Sequence, residues 1–383
     1  MEYLEGDPKF VREIMRAGGG TLKKCFQCAT CSVICPLSPD ENPFPRKEMI
    51  WSQWGLKERL LGDSDVWLCH QCNDCSSYCP RGAKPGEVLG ALRNIQISEY
   101  SFPSFIAKAF RTPRYVWAIV AFPVILIAAY FSAFGFHIPE GKVSFSEFIP
   151  HEHVELAGFI MGGYIAIAIL IGLYRFWSAM DKNGLKIRSK GESEFVDVGS
   201  QVKGGFIPSL ISAIVEILIH NRFGKCGESR YRYFAHLGIF YGFILIFIGT
   251  NIAFGYLLMG RELGLPLSDP AKIFGNVGFV LLFVGASWVI AERVAKKDSI
   301  GIGGYFDWLF LSTLWVVAFT GIITQSLRYA NMVEAYWAYL VHLVAVFVLL
   351  AYAPYSKFAH LAYRTIAMTY AKYSGKDTET KLS

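Results

Sequence analysis

The chain has 383 residues, of which 53% are hydrophobic and only 18% charged, with a formal net charge of +6. That balance excludes an ordinary soluble protein of this size and fits an integral membrane protein. The length allows two or three domains.

Residues 1–110 read as a water-exposed, mainly helical head. The start, Met1-Glu2-Tyr3-Leu4-Glu5-Gly6-Asp7, is acidic and has no apolar run behind it, so no secretory signal is visible and the head is expected in the cytoplasm. Phe10, Ile14 and Arg16-Ala17 predict a short helix ending at the break Gly18-Gly19-Gly20. Lys47 to Leu61 has Met49, Ile50, Trp54, Leu56, Leu60 and Leu61 at loosely helical spacing. A second apolar stripe, Val88, Leu89, Leu92 and Ile95, follows Pro85. No segment alternates as a strand does, so the predicted fold class is all-α.

Eight of the nine cysteines sit in two copies of one pattern. The first copy is Cys25, Cys28, Cys31, Cys35 and Pro36; the second is Cys69, Cys72, Cys75, Cys79 and Pro80. Thiolates suit iron, and C-x-x-C-x-x-C-x-x-x-C-P is the two-cluster ferredoxin run, in which the fourth cysteine reaches the other cube. By that logic Cys25, Cys28, Cys31 and Cys79 hold one [4Fe–4S] cluster, and Cys69, Cys72, Cys75 and Cys35 hold the other. Paired C-x-x-C also holds zinc, but the third cysteine and the Cys-Pro ending in both blocks argue against a zinc-stapled head. A reducing cytoplasm favours metal ligation over disulfides. Cys226 stands alone and is expected to be inert.

Six apolar stretches follow, roughly Tyr115–Phe136, Glu155–Trp177, Phe234–Leu258, Ile273–Ala291, Phe306–Gln325 and Tyr336–Ala359. Each approaches the ~20 residues that a helix needs to cross the bilayer core. Ile207–Ile219 is shorter, carries Glu216 and follows Gly204-Gly205, so an interfacial helix is expected there. Lysine and arginine are concentrated in Ser178–Tyr233, after the fourth span and in the C-terminal segment. The positive-inside rule then places the head, both termini and these loops in the cytoplasm. The span centres contain no Asp, Glu, Lys or Arg, since Glu155, Arg175, Glu292 and Asp307 all lie at span ends. Electron transfer therefore fits better than ion translocation by side-chain relays.

Two histidines at one depth on different spans can ligate a haem b inside a bundle. His236 begins the third span, and His360 closes the sixth. They form the first expected haem pair. His342 and His360 are eighteen residues apart, which is five whole helical turns and ~27 Å on one continuous helix. His342 then needs an outer-leaflet partner. His153 has the right depth for a second haem, while His151 and His137 lie further into the loop. His220, on the short amphipathic stretch, is expected to be a solvated or surface-bonded side chain. Gly238, Gly242, Gly249 and Gly255 on the third span allow close approach of a macrocycle or of a neighbouring helix. There is no G-x-G-x-x-G fingerprint and no P-loop.

The head, through its paired cysteine blocks, resembles the C subunit of heterodisulfide reductase. The membrane part resembles the respiratory nitrate reductase gamma-type cytochrome b family, through His236-Leu237-Gly238 and the eighteen-residue histidine spacing. The fusion resembles the membrane subunits of the quinone-interacting membrane-bound oxidoreductase complexes of sulfate reducers over nearly its whole length. The resemblance implies an iron–sulfur head over residues 1–110, a six-span cytochrome b domain over 111–363 and a basic cytoplasmic tail over 364–383. It also implies oxidation of menaquinol in the inner membrane and transfer of electrons through haem b to two [4Fe–4S] clusters. Soluble flavin and iron–sulfur subunits, and then adenylylsulfate reductase, would receive them. The gamma-type family has a second histidine ten residues after the first, where this chain has Ile246, so the motif supplies no partner for His342. A heterodisulfide-reductase-like complex using another quinone-type carrier would need further cysteines on a partner.

Overall fold

The computed structural model describes residues 5–39, 43–189, 205–220, 222–225, 230–261, 264–295 and 303–376. Cys226 lies outside the described residues, as do several of the loop lysines. Among the described residues there are helices and no strands, as expected.

The head is a set of short helices: α1 (Pro8–Arg16), α2 (Thr30–Val33), α3 (Arg46–Trp54), α4 (Lys57–Leu61), α5 (Asp65–Leu68), α6 (Asp74–Ser77), α7 (Pro85–Tyr100) and α8 (Ser104–Phe110). Asp7 caps α1 by accepting from the Lys9 N–H, and Pro8 sits where a missing donor does no harm. The predicted helix over Lys47–Leu61 is two helices. Gly55 divides them at φ +69°, where an added Cβ would meet the Asp7 backbone at 2.5 Å. Val88, Leu89, Leu92 and Ile95 are all buried, so the α7 stripe is core.

Among the described residues, six helices are long and apolar enough to cross a membrane. They are α9 (Val116–Phe134), α11 (His151–Ser189), α13 (Arg230–Leu258), α14 (Pro270–Ala295), α15 (Tyr305–Tyr329) and α16 (Glu334–Ala351), with the short α10 (Phe145–Phe148) before α11 and α12 (Phe206–Ile219) before α13. Many of their large apolar side chains face outward, among them Phe159, Leu170, Phe247 and Val280. Outward apolar surface on that scale requires lipid.

The sixth span corrects the sequence reading. The α16 helix stops at Ala351, and the chain passes through two tight turns, Ala353–Tyr355 and Lys357–Ala359, before α17 (His360–Tyr373) begins. Pro354 has no N–H to donate and disfavours helical backbone at Ala353, which ends the helix. His342 and His360 therefore lie on different helices, and the five-turn argument does not apply. The expected tail boundary at residue 364 falls inside α17, whose Tyr363, Ala367, Met368, Tyr370 and Ala371 are buried.

Head and membrane helices share one core. Trp67 of α5 stacks on Tyr363 of α17 (centroids 5.7 Å) and meets Phe176 of α11 edge-on (6.4 Å). Tyr355 donates its hydroxyl to the Phe102 carbonyl at 2.6 Å, and Asn183 donates to the Arg59 and Gly62 carbonyls. The α13 and α14 helices approach at backbone distance. A Cβ on Gly242 would sit 2.8 Å from the Gly278 oxygen, and one on Gly249 would sit 2.7 Å from the Ala271 oxygen. These glycines serve helix packing. Gly255, in contrast, has open space. Gly242→Leu is expected to cost at least ~2 kcal/mol through overpacking against backbone that cannot yield. Gly255→Leu should leave thermal stability in detergent within ~1 kcal/mol of wild type. Equal melting temperatures for the two variants would refute the close α13–α14 contact.

Candidate functional site: two sulfur cages beside a histidine pair

The two cysteine loops fold as copies. Gln27 and Ala29 adopt left-handed backbone (φ 61° and 68°), as do Gln71 and Asn73 (φ 55° and 71°). None of the four is glycine, so these are strained conformations that the surrounding site must hold. Each loop runs into a one-turn helix, α2 or α6, and these two helices pack together. The backbone N–H of Gln27 points at Cys25 Sγ (3.4 Å) and that of Gln71 at Cys69 Sγ (3.2 Å). Ala83 N–H donates to Cys79 Sγ at 3.3 Å.

Burial and mutual repulsion raise four of the thiols. Burial raises Cys25, with further repulsion from Cys79 and Cys28, and pushes Cys31 up to about 11, with repulsion from Cys25 and Cys28. Burial likewise pushes Cys35 up to about 12, followed by repulsion from Cys69 and Cys72, and holds Cys75 well above its ordinary value, followed by Cys69, Cys72 and Cys35. Cys79 thus lies near the first loop and Cys35 near the second, while Cys75 also feels Cys31. Cys35, Cys69, Cys72 and Cys75 also line a cavity walled by Leu37, Phe44 and Leu89. Four sulfurs with backbone N–H groups aimed at them match the donor set of a [4Fe–4S] cube. Buried thiols with raised pKa values need a cation to become thiolates, and iron would supply it. Among the described residues the first cage is the more open: Cys28 is exposed, whereas Cys69, Cys72 and Cys75 are buried.

His236 at the start of α13 and His360 at the start of α17 face each other, with ring centroids 6.5 Å apart and planes at 79°. Two imidazoles binding one metal from opposite sides, each at ~2 Å, have ring centres ~6 Å apart. The Nδ1 of His360 donates to the Lys357 carbonyl at 2.6 Å, which fixes the tautomer and leaves Nε2 as a ligand. His236 Nδ1 is buried without a partner. The pair therefore fits a bis-histidine metal centre such as haem iron.

The other histidines differ from expectation. His220 is buried, with its ring 5.2 Å from that of His236, so the solvated reading is corrected. Its left-handed backbone (φ 56°) closes α12 and turns the ring inward. His153 bonds the Tyr130 hydroxyl at 2.9 Å and packs on Phe134, whereas His342 bonds Thr320 Oγ1 at 3.0 Å. No ring contact among the described residues joins His153 to His342. Sequence reasoning missed His70, whose ring stacks on Phe223. Its place between Cys69 and Cys72 was the available signal.

The head holds a further buried group. Glu48, Asp63 and Asp65 are within reach of one another, all at 2% exposure or less, and Lys47 pairs with each of them. One cation cannot neutralise three buried carboxylates, and burial holds Glu48 well above the ordinary carboxylate range.

The 4Fe-4S dicluster domain family matches residues 21–83, a segment that contains all eight cage cysteines. A protein of Archaeoglobus profundus that is itself described as like the C subunit of heterodisulfide reductase is 36% identical over 112 residues, covering 29% of this chain and 60% of that protein. The C subunit of the H(2):CoB-CoM heterodisulfide,ferredoxin reductase of Methanothermobacter marburgensis is 37% identical over 89 residues, covering 23% of this chain and 48% of that protein. The chain thus spans about half the length of these relatives. Citrate utilization protein B of Escherichia coli is 24% identical over 96% of this chain and 94% of its own length. No solved structure matches.

Two measurements check the site. Anaerobically purified protein should contain about eight iron and eight labile sulfide per chain, and Cys75→Ser should lose about half of each. About two zinc with negligible sulfide would overturn the cage assignment. Lys47→Met should destabilise the head by ~3 kcal/mol, whereas Glu48→Gln should cost less than ~1 kcal/mol. Because burial raises the Glu48 pKa in the folded protein, wild-type stability should fall as pH rises above the ordinary Glu value of 4.5. That slope should be shallower in Glu48→Gln. Urea titrations across pH 5 to 8 would show it, and parallel slopes would refute a raised Glu48 pKa.

Proposed function

We propose that this chain is a membrane electron-transfer subunit that carries electrons between a quinone pool and soluble partners. The observation that carries this reading is the seating of the second cage, Cys35, Cys69, Cys72 and Cys75, beside the His236–His360 pair. His70 in its loop stacks on Phe223 (5.5 Å), and Phe223 meets His236 edge-on (5.5 Å). A redox metal between the two histidines would thus have an iron–sulfur acceptor for a neighbour. In this reading Cys25, Cys28, Cys31 and Cys79 hold one [4Fe–4S] cluster, the second cage holds the other, and His236 and His360 hold haem b. Bound there, the haem supplies one-electron redox chemistry within the membrane bundle.

The chain's own groups set the conditions. The Lys357 carbonyl orients His360, and the apolar walls around the second cage exclude water and with it premature discharge. Oxidation of one menaquinol releases two electrons and two protons, and two cubes can take one electron each. The resemblance to the sulfate reducers' membrane subunit QmoC supports menaquinol as donor. It also supports soluble flavin and iron–sulfur subunits as acceptors, adenylylsulfate reductase further on, and an inner-membrane location with the head in the cytoplasm. The heterodisulfide reductase relatives support membership of a complex built from several subunits. A second reading, favoured by the full-length similarity to citrate utilization protein B, is that the same arrangement serves citrate utilization.

A pyridine haemochrome assay tests the membrane centre. Wild type should contain about one haem b per chain. His236→Ala and His360→Ala should lose it, and His342→Ala should keep it. Full haem in all three variants, or none in wild type, would overturn the reading. Reduction of the iron–sulfur signal by a menaquinol analogue should occur in wild type and fail in His360→Ala.

A further inference from the structure

The loop Cys69-His70-Gln71-Cys72 is held by three arginines from three helices. Arg93 of α7 donates from Nη1 to the Val66 and Cys69 carbonyls (3.0 and 2.9 Å) and from Nη2 to Gln71 Oε1 (2.8 Å). Arg232 of α13 donates to the Gln71 carbonyl at 2.9 Å. Arg364 of α17 donates to His70 Nδ1 at 2.8 Å and to the Cys69 carbonyl. Arg232 lies one turn before His236, and Arg364 one turn after His360. Residues four apart share a helix face, so each helix that presents a histidine to the pair also presents a guanidinium to this one loop.

The first cage has no such connection in the described hydrogen bonds. Its loop is held within the head, by Arg46 Nε donating to the Gln27 carbonyl at 3.1 Å and by Gln53 donating to the Cys25 carbonyl at 2.9 Å. Cys28 faces solvent. The two cages, alike in loop geometry, therefore differ in surroundings. One is buried, in contact with the membrane helices and gripped by three guanidinium groups. The other is more open and has one guanidinium, Arg46, on its loop.

Guanidinium groups stay charged, and positive charge near an iron–sulfur cube favours the form with the extra electron. We propose that the second cage is the membrane-side electron port, and that Arg232 and Arg364 are positioning residues that fix it against the histidine pair and offset the lowering that burial imposes on its reduction potential. This rests on the function proposed above and assigns the two clusters an order within it. In the entry step, a cube held by Cys35, Cys69, Cys72 and Cys75 would gain the one electron that the quinol-reduced membrane domain loses. No bond is made or broken, and no proton need move with it. A cube held by Cys25, Cys28, Cys31 and Cys79 would take that electron next and give it up at the Cys28 edge to a soluble acceptor.

The test uses the full-length protein in membranes or detergent. Redox titration monitored by paramagnetic resonance gives a midpoint for each cluster, and Cys28→Ser and Cys75→Ser assign the signals. Arg364→Gln should lower the midpoint of the Cys75 cluster and leave that of the Cys28 cluster in place. At unchanged haem content, it should slow cluster reduction by a menaquinol analogue at least tenfold. Arg364→Lys should keep more of the potential and still reduce slowly, because it keeps the charge and loses the two-point grip. If Arg364→Gln loses its cubes, Arg232→Gln, which removes one hydrogen bond, gives the same readout. Equal shifts in both clusters, a shift confined to the Cys28 cluster, or no shift would overturn the assignment. Wild type without haem would instead defeat the function proposed above, while the cluster midpoints could still be read.

Discussion

The two cysteine loops pack on each other through α2 and α6, and the rest of the molecule depends on that contact. Cys79 is near enough to Cys25, and Cys35 to Cys69 and Cys72, for their charges to repel. In the proposed ligand exchange neither half of the head completes its own metal site, and the segment between the blocks folds back to bring α2 onto α6. The buried Lys47 group and the α3–α4 break at Gly55 belong to that return. Metal binding and folding would then be one event for the head. The left-handed Gln27, Ala29, Gln71 and Asn73 are the local strain that the completed cages hold in place.

The same head is built onto the membrane helices, with no linker between them. Trp67 belongs to α5, which leads directly into Cys69, and its ring packs in a three-ring cluster with Tyr363 and Phe176 of the membrane part. Whatever fixes the Trp67 ring also fixes the Cys69 loop a turn later. Domain motion between a cluster module and a membrane module is the common default when their interface is small and polar. Here the interface is aromatic and buried, so cofactor spacing is set by packing.

The sequence displayed the chemistry of the site more clearly than its assembly. The cysteine spacing alone pointed to a 4Fe-4S dicluster domain, because that spacing has few physical solutions. His236 and His360 were legible as a pair from depth and motif, although the helical phase used for His360 was wrong. Hydropathy runs on through Tyr352 and Ala353 as if the sixth span continued, and only Pro354 marks the stop. His70, Phe223, Arg232 and Arg364 were not legible. They are polar or aromatic residues at helix ends, a common setting, and their shared target appears only once α5, α13 and α17 converge. His220 was misjudged because a short amphipathic helix predicts a wet outer face and says nothing of the left-handed cap that turns its last side chain inward.

The break after α16 gives that convergence its cause. A helix continuing from Glu334 through residue 373 would run ~60 Å along one axis, longer than the bilayer core, and would carry His360 and Arg364 out along it. Pro354 ends the span, two tight turns redirect the chain, and α17 instead packs against α12 and α5. The turns are held by specific bonds: Ser356 Oγ accepts from Phe358 N–H at 3.1 Å, Lys357 pairs with Asp307 of α15, and the Lys357 carbonyl receives His360 Nδ1. One short segment thus orients an imidazole toward His236 and, a turn later, a guanidinium toward Cys69. The redirected helix, more than any single ligand, puts the histidine pair and the second cage within reach of each other.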